Sequence, residues 1–281
     1  MLKHICNMKQ ISKFSKIFLL LISLILIDSC VSDNTEKKKN KDSNIYEVGN
    51  NKKTIFKLPS PVELFVFLHD NNAKFNKGIL NTPDNSKKYF TNFSKLINFG
   101  IYASDLAYCT VFGQAQETFV YFKTTKSIGE DLGLNEGFNE IIIKRIENNQ
   151  YQKDSLYQIT MDAYWDACTY LEDLGENKKL SIILAGGWIE SLHIAINSVD
   201  KFSPENKIVI RIAEQQLLLE NLIGSFQTLK KDKHTQQMLA KLNELQTSFD
   251  KLYDNTDVII TENQFIEISN KIEKIRNQLV K

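Results

Sequence analysis

The stretch SIILAGGWIESLHIAI, residues Ser181–Ile196, decides the fold. It is the most apolar run outside the N-terminus, but its sixteen residues fall short of the roughly 20 that span a bilayer, and it carries Glu190 and His193. A helix that is apolar nearly all round usually lies at the centre of a helical domain. Gly186 and Gly187 each cost about 1 kcal/mol relative to alanine, a cost that makes sense where a neighbouring helix approaches the backbone. The stretch therefore predicts a buried core helix.

The composition around this stretch is that of a globular protein with few turns. Hydrophobic residues make up 42% and charged residues 25% of the 281 residues, whereas there are only 11 glycines and 4 prolines. Few turn residues indicate long helices, and no run predicts a sheet of any size. We expect an all-α fold, an irregular bundle of about nine helices. A tetratricopeptide-like helical repeat is the alternative, although a period of roughly 34 residues does not recur.

The N-terminus has the layout of an export signal. Residues 1–16 hold four lysines and no acidic residue, and Ile17–Ile27 is an eleven-residue apolar run that leads into Asp28, Ser29 and Cys30. A charged region, an apolar region and then a small residue are typical of a cleaved signal peptide. The position of Cys30 resembles the lipobox of bacterial lipoproteins, although Asp28 stands where that motif has a small residue. The resemblance implies cleavage before Cys30 and lipid on its sulfur; an uncleaved anchor helix is the alternative.

The domain organisation follows from these patterns. Residues 1–29 are predicted to be a lipoprotein signal peptide, and residues 30–54, which are polar, a disordered tether. Residues 55–200 are predicted to form a helical core domain, with residues 201–281 as a C-terminal helical bundle packed on it. By resemblance to known sorting rules, Val31 after the cysteine favours the outer membrane over the inner one.

The charge balance argues against a nucleic-acid partner. The whole chain has a formal net charge of +1, and without residues 1–29 it keeps 31 basic and 33 acidic residues, a net charge of −2. Its three arginines are Arg145, Arg211 and Arg276. Because nucleic-acid-binding domains carry a strongly basic face, we expect no such partner.

Two heptad stripes mark the last third of the chain. The first comprises Met238, Leu242, Leu245, Phe249 and Leu252. The second comprises Phe265, Ile268, Ile272, Ile275 and Leu279. A third apolar pattern runs from Ile208 to Leu229 and is interrupted by Gln215. The patterns predict three long, roughly antiparallel helices that pack like a coiled coil.

Several helix boundaries are predicted from glycine, proline and capping residues. Gly100 is expected to break or kink the chain between helices at Ser86–Asn98 and Ile101–Phe112. A short helix is expected over Phe138–Asn148, and another is expected to start at Ser203.

The cysteines and histidines give no metal motif. Cys109 and Cys168 lie inside apolar helical patterns, which favours two buried free thiols, with a disulfide as the alternative. Glu190 and His193 have the Glu-x-x-His spacing, but a di-metal site in a helical bundle uses two such motifs, and this chain has one. We expect no cofactor, and we interpret Glu190 as bonded to a neighbouring helix with His193 near the surface.

Three charged residues are embedded in apolar helices: Asp105, Arg145 and Glu190. Because a buried charge without a partner is costly, we expect Arg145 to lie within salt-bridge distance of Asp105 or Glu190 in a structural network. The alternative is a ligand pocket lined by Tyr102, Asp105, Tyr108, Arg145, Trp188 and Glu190. A catalytic acid–base pair is a third interpretation. Tyr164 and Trp165 are expected to pack in the core, with sugar binding as their alternative.

The order of short motifs resembles a known family. The motifs are LPSPVE (58–63), GIYASDLAY (100–108), RIENN (145–149), DSL (154–156) and AGGWIE (185–190). They look like those of a family of uncharacterised helical lipoproteins from Gram-negative bacteria, over roughly residues 55–200. The resemblance implies an all-helical fold and an envelope location, and it implies no activity.

The sequence therefore predicts an outer-membrane lipoprotein, held to the membrane through Cys30, that binds a small molecule or a protein partner without catalysis. One alternative is an enzyme, a hydrolase or a metal-dependent one, that uses the carboxylates of Asp105 and Glu190. The other is a structural scaffold that acts through its C-terminal helices.

Overall fold

Nine α-helices make up most of the part of the chain that the computed structural model describes, namely residues 45–48, 56–59, 61–134, 144–145, 148, 153–230, 232–252 and 260–281. They are α1 (Pro61–Asp70), α2 (Asn92–Val111), α3 (Ala115–Asp131), α4 (Lys153–Asp173), α5 (Asn177–Asn197), α6 (Lys207–Ala213), α7 (Gln216–Gln227), α8 (Lys233–Asp250) and α9 (Glu262–Leu279). The prediction of an all-α fold with about nine helices is confirmed. The predicted signal peptide, most of the tether and most of the helix at 138–148 lie outside the described residues.

A short β-hairpin precedes the helices. Strand β1 (Ile45–Val48) pairs antiparallel with β2 (Phe56–Pro59), and Ile45 lies opposite Pro59. Strand β1 falls within residues 30–54, the segment predicted to be a tether. Ile, Tyr and Val favour extended chain, so the short IYEV run can pair although its neighbours are polar. Strand β2 ends just before α1 begins at Pro61.

Helix α5, which contains the Gly-Gly stretch, is the centre of the bundle. Its main contacts within the described residues are with α1, α2, α4, α6, α7 and α9. Every residue from Leu180 to Ala195 is buried. The helix is long and apolar enough to cross a membrane, but 89% of its most apolar 18-residue segment is buried inside the protein. The prediction of a core helix is confirmed, and the repeat alternative is not supported, because repeat units contact mainly their sequence neighbours.

Glycines allow α2 and α5 to touch backbone to backbone. A Cβ atom on Gly186 would lie 2.0 Å from the carbonyl oxygen of Ile97, and one on Gly100 would lie 2.0 Å from that of Ile183. The predicted close approach at Gly186 is therefore confirmed. The predicted break at Gly100 is wrong, since α2 runs unbroken from Asn92 to Val111. Gly100 is needed for the contact between the helices, and helix geometry at this position is undisturbed.

The segment between α1 and α2 lies against α2 and carries two short 3-10 helices, Lys77–Ile79 and Pro83–Lys88. Helix α2 begins after Thr91, whose hydroxyl and that of Ser94 form a capping box. The predicted start at Ser86 is thus too early, because Ser86 lies in the second 3-10 helix. This segment brings the backbone of Ile79 and Asn81 to the interior.

The C-terminal helices bury the predicted stripes. All five residues of the first stripe are buried, as are Ile268, Ile272 and Ile275 of the second. The first of the three predicted long helices is instead two helices, α6 and α7, which meet at a turn that contains Gln215. The start predicted at Ser203 is also wrong. Helix α6 begins at Lys207, where the side chain of Asn206 accepts a hydrogen bond from the Ile208 amide.

Candidate functional site

Glu190 forms a buried salt bridge with Arg276 of α9. Nε and Nη2 of Arg276 donate to the two oxygens of Glu190, each at 3.0 Å. The Glu190 side chain has no exposed surface, and two-point pairing offsets part of the cost of removing both charges from water. Arg276 Nη2 also donates to the carbonyl of Ile79 at 3.1 Å. The predicted bond from Glu190 to a neighbouring helix is confirmed.

Asp105 is a second buried carboxyl beside this pair. Its Oδ2 accepts a hydrogen bond from the Asn81 amide at 3.2 Å, while Oδ1 has no donor within the described part of the chain. Burial, followed by the negative charge of Glu190, raises the pKa of Asp105 well above its usual range. A neutral Asp105 can donate its proton to Glu190, which supplies the missing partner. The cluster then holds one negative charge opposite one positive charge.

His193 links α5 to α9 one turn further along. Its Nδ1 lies 2.6 Å from Glu273 Oε1, and its Nε2 lies 2.9 Å from the Ile79 carbonyl. Both ring nitrogens face oxygens, and only a doubly protonated ring donates to both. Burial alone lowers the pKa of His193, but the hydrogen bond with Glu273 and the charge of Glu190 raise it above its usual value. His193 is buried, so its predicted position near the surface is wrong.

Arg145 does not take part in this cluster. Its Nη1 and Nη2 lie 3.3 Å from Asp162 Oδ2, and the two side chains are 43% and 48% exposed. The prediction that Arg145 pairs with Asp105 or Glu190 is therefore wrong. Arg276 is the arginine that pairs with Glu190. One arginine balances the charge of the cluster when Asp105 is neutral.

Tyr102 and Tyr108 bond the loop between α1 and α2. The Tyr102 hydroxyl donates to the Thr82 carbonyl at 2.7 Å, and the Tyr108 hydroxyl donates to the Lys74 carbonyl at 3.2 Å. Both rings are fully buried. The six predicted ligand residues are therefore not brought together around one cavity. Arg145 lies at the surface, and the two tyrosine hydroxyls are bonded to backbone carbonyls of the loop between α1 and α2.

Cys109 and Cys168 are part of the core. Cys109 and Cys168 are free and buried, as predicted. Burial raises the pKa of Cys168 to about 12 and also raises that of Cys109. Neither thiol is thus poised as a nucleophile, because the thiolate is the reactive form.

A pocket of about 220 Å³ lies beside Trp188. It is formed where α1, α4 and α5 meet the turn between α6 and α7. Apolar side chains provide most of its wall, among them Leu64, Leu184 and Leu218. Tyr164 and Trp188 supply aromatic surface. Of the six predicted ligand residues, Trp188 is the one that lines this pocket.

Polar groups reach the pocket from α1 and α5, through Glu63 and Ser191, and from the end of α6 and the turn that follows it. Trp188 Nε1 donates to Gln215 Oε1 at 3.3 Å, and Gln215 Nε2 donates to the Arg211 carbonyl at 3.2 Å. Arg211 Nη1 donates to Glu214 Oε2 at 3.0 Å. The Arg211 guanidinium lies 4.8 Å from the centre of the Phe67 ring. These contacts orient the indole and the guanidinium.

Sequence reasoning missed Arg276, Glu273 and Arg211. Each comes directly after an apolar residue of a helix. A charged side chain at such a position is usually solvated, so the sequence pattern did not indicate a buried or site residue. Gln215 did give one, because it interrupts an apolar stripe. Its partner Trp188 lies 27 residues earlier, and sequence periodicity carries no information on that pairing.

Fold and site define the class of protein: an all-helical bundle with a salt bridge closed inside it and an open pocket on its central helix. Comparisons with protein-family models, curated proteins and solved structures give no match. The resemblance to helical lipoproteins stays a prediction. The function is therefore inferred from the site.

Proposed function

We propose that this protein is a lipid-anchored envelope protein whose helical domain binds a small molecule in the pocket beside Trp188. The observation that carries the proposal is the pocket itself, about 220 Å³ in volume, with a largely apolar wall and a few oriented polar groups. Small-molecule sites usually have this composition. The ordered indole provides a rigid surface against which a ligand can pack.

The anchor is proposed at Cys30, in the outer membrane. Its support is the order of basic residues, apolar run and cysteine at the N-terminus. Palmitate labelling in cells tests this proposal. Label is expected on the wild-type protein. It is also expected on the Cys6→Ala control, because position 6 is removed with the predicted signal peptide. The Cys30→Ala variant should carry no label, and label that persists in this variant refutes the anchor.

Binding is favoured over catalysis by the burial of the two carboxyls. A catalytic acid or base must come within hydrogen-bonding reach of its substrate. Asp105 and Glu190 have no exposed surface, and both oxygens of Glu190 are bonded to Arg276. The enzyme alternative, which uses these carboxylates, therefore has less support than ligand binding.

The scaffold alternative requires a free apolar face on the C-terminal helices. The stripe of α8 and the three central residues of the stripe of α9 are buried inside the domain, with Leu242, Leu245 and Ile272 fully enclosed. Among the large apolar residues of α8 and α9, Ile266 is the one that is exposed. The geometry thus favours the pocket over these helices as the place of binding.

Filling the pocket tests the binding function. Leu218 is half-buried in the pocket wall, so Leu218→Trp should occupy the space while leaving the core intact. Leu174→Trp is the matched control, because Leu174 is exposed and is not part of the lining. Protein purified from native membranes is denatured, and released small molecules are identified by mass spectrometry. We expect a molecule from the wild type and the control that the filled variant lacks.

Identical sets of released molecules from all three proteins, each folded by circular dichroism, would mean that the pocket holds no ligand in the cell.

A further inference from the structure

The pocket combines an apolar floor with a pair of opposite charges at its edge. Leu184 and Trp188 of α5 are buried at its base. Arg211 and Glu214 line the same pocket, with side chains 43% and 53% exposed, and Glu63 of α1 adds a second carboxylate to the lining. A ligand inside would therefore meet apolar surface at one end and both signs of charge at the other.

The ion pair at the edge can be shared with a ligand. An exposed salt bridge contributes little to stability, so opening the contact between Arg211 and Glu214 costs little. Arg211 has five N–H donors, and it gives one, from Nη1, to Glu214. A guanidinium matches a carboxylate with two parallel hydrogen bonds. The Phe67 ring below the guanidinium holds it in place for such a contact.

Gln215 fixes the aromatic part of the floor. Its side chain accepts from Trp188 Nε1 and donates to the Arg211 carbonyl. The indole N–H is thus satisfied within the protein, and the ring presents an apolar face. The indole face suits an aliphatic or aromatic side chain of the ligand. A polar side chain would lose its hydrogen bonds to water there and gain none from the ring.

We propose that the pocket binds a free apolar α-amino acid, with its carboxylate on Arg211, its ammonium on Glu214 and its side chain against Trp188 and Leu184. This inference rests on the proposed ligand-binding function and names the class of ligand. A molecule of this class carries adjacent opposite charges and one apolar branch, as the pocket requires. The volume of about 220 Å³ is below the roughly 300–1,000 Å³ of sites for drug-sized ligands, which also favours a compact molecule.

Isothermal titration calorimetry with L-leucine, L-methionine and L-phenylalanine tests the assignment. Isoamylamine and isocaproate serve as analogues of leucine that lack the carboxylate and the ammonium, respectively. We expect saturable binding of at least one amino acid, and at least tenfold weaker binding when either charge is missing. Arg211→Gln and Glu214→Gln should each weaken binding of that amino acid at least tenfold.

Arg145→Gln is the matched control, because Arg145 also forms an exposed salt bridge, with Asp162, and does not line the pocket. Its affinity should equal that of the wild type. Failure of all three amino acids to bind overturns the inference, as does binding of the amine and the acid as tightly as leucine. If the Leu218→Trp protein nevertheless lacks a molecule that the wild type releases, the ligand-binding function stands without this ligand class. If it lacks none, both fail.

Discussion

At the scale of single residues, the contact between α2 and α5 depends on missing methyl groups. Gly186 and Gly100 each face a carbonyl oxygen of the opposite helix, where a Cβ would come within 2.0 Å. At Gly187 the nearest atom would be Ser104 Oγ at 3.4 Å, an ordinary contact. Two adjacent glycines in one helix thus differ sharply in what they tolerate.

Gly186→Ala should destabilise the protein because the added methyl group forces the helices apart. We expect a loss of about 1–3 kcal/mol or more in the free energy of unfolding, as for overpacked cores. Gly187→Ala is the control and should be near neutral or slightly stabilising, since alanine favours helix by about 1 kcal/mol. Urea unfolding measures both, and equal stabilities for the two variants would contradict the assigned contact.

The sequence predicted the close approach at Gly186 and missed the matching role of Gly100. A glycine inside a helical pattern is compatible with a break, a kink or a packing site. The apolar surroundings of Gly186 pointed to packing. For Gly100 the deciding factor is the position of α5, which local sequence does not contain.

At the scale of secondary-structure elements, α9 is held on α5 by charged groups as well as by its apolar stripe. His193 of α5 bonds to Glu273, and Asn197 Nδ2 donates to the same Glu273 oxygen at 2.9 Å. The carboxyl of Glu190 and the guanidinium of Arg276 complete the charges near the ring. The contact between the two helices should therefore depend on the protonation of His193.

Stability should decline as pH rises because of His193. The pKa of His193 is raised in the folded protein, so the stabilisation is fully present below the unfolded value, about 6.5. It is lost as pH rises through the folded pKa. The free energy of unfolding, measured by urea titration above pH 6.5, should fall more steeply in the wild type than in His193→Gln. The exposed His69→Gln serves as the control and should follow the wild type.

Asp105, whose pKa is also raised, contributes a decline of the same sign. The difference between the wild type and His193→Gln removes this shared contribution. Parallel slopes for these two proteins would contradict the charged state of His193.

Heptad spacing predicted which faces of α8 and α9 are buried, because a regular stripe can be satisfied only by a facing apolar surface. It did not predict the break between α6 and α7. The turn there depends on Gln215, whose side chain bonds to Trp188 of another helix. Boundaries set by such contacts are not visible in local spacing.

At the scale of the whole molecule, the salt bridge between Arg276 and Glu190 joins two parts of the chain that the sequence analysis assigned to separate domains. Its members are 86 residues apart. Sequence reasoning identified Asp105 and Glu190 as buried charges, because both lie among apolar residues. It chose the wrong arginine, since pairing over this distance leaves no periodic signal.

Loss of the arginine should be far more harmful than loss of the Asp105 carboxyl. Arg276→Met leaves Glu190 buried without a counter-charge, which should cost about 3–5 kcal/mol. Asp105→Asn retains the shape of the neutral carboxyl and a donor toward Glu190, so it should cost less than about 1.5 kcal/mol. Chemical denaturation gives both values, and Arg145→Met, at an exposed pair, should change stability by about 0–1 kcal/mol. An Asp105→Asn protein as unstable as Arg276→Met would indicate an ionised Asp105.

The same salt bridge cannot form until the ribosome has synthesised Arg276. Ribosomes add about 5–20 residues per second, so the 86 residues between Glu190 and Arg276 take about 4–17 s to appear. During this interval the carboxylate of Glu190 lacks its counter-charge, which disfavours its burial. A delay of this kind would suit passage through a translocation channel, which the predicted export signal would require.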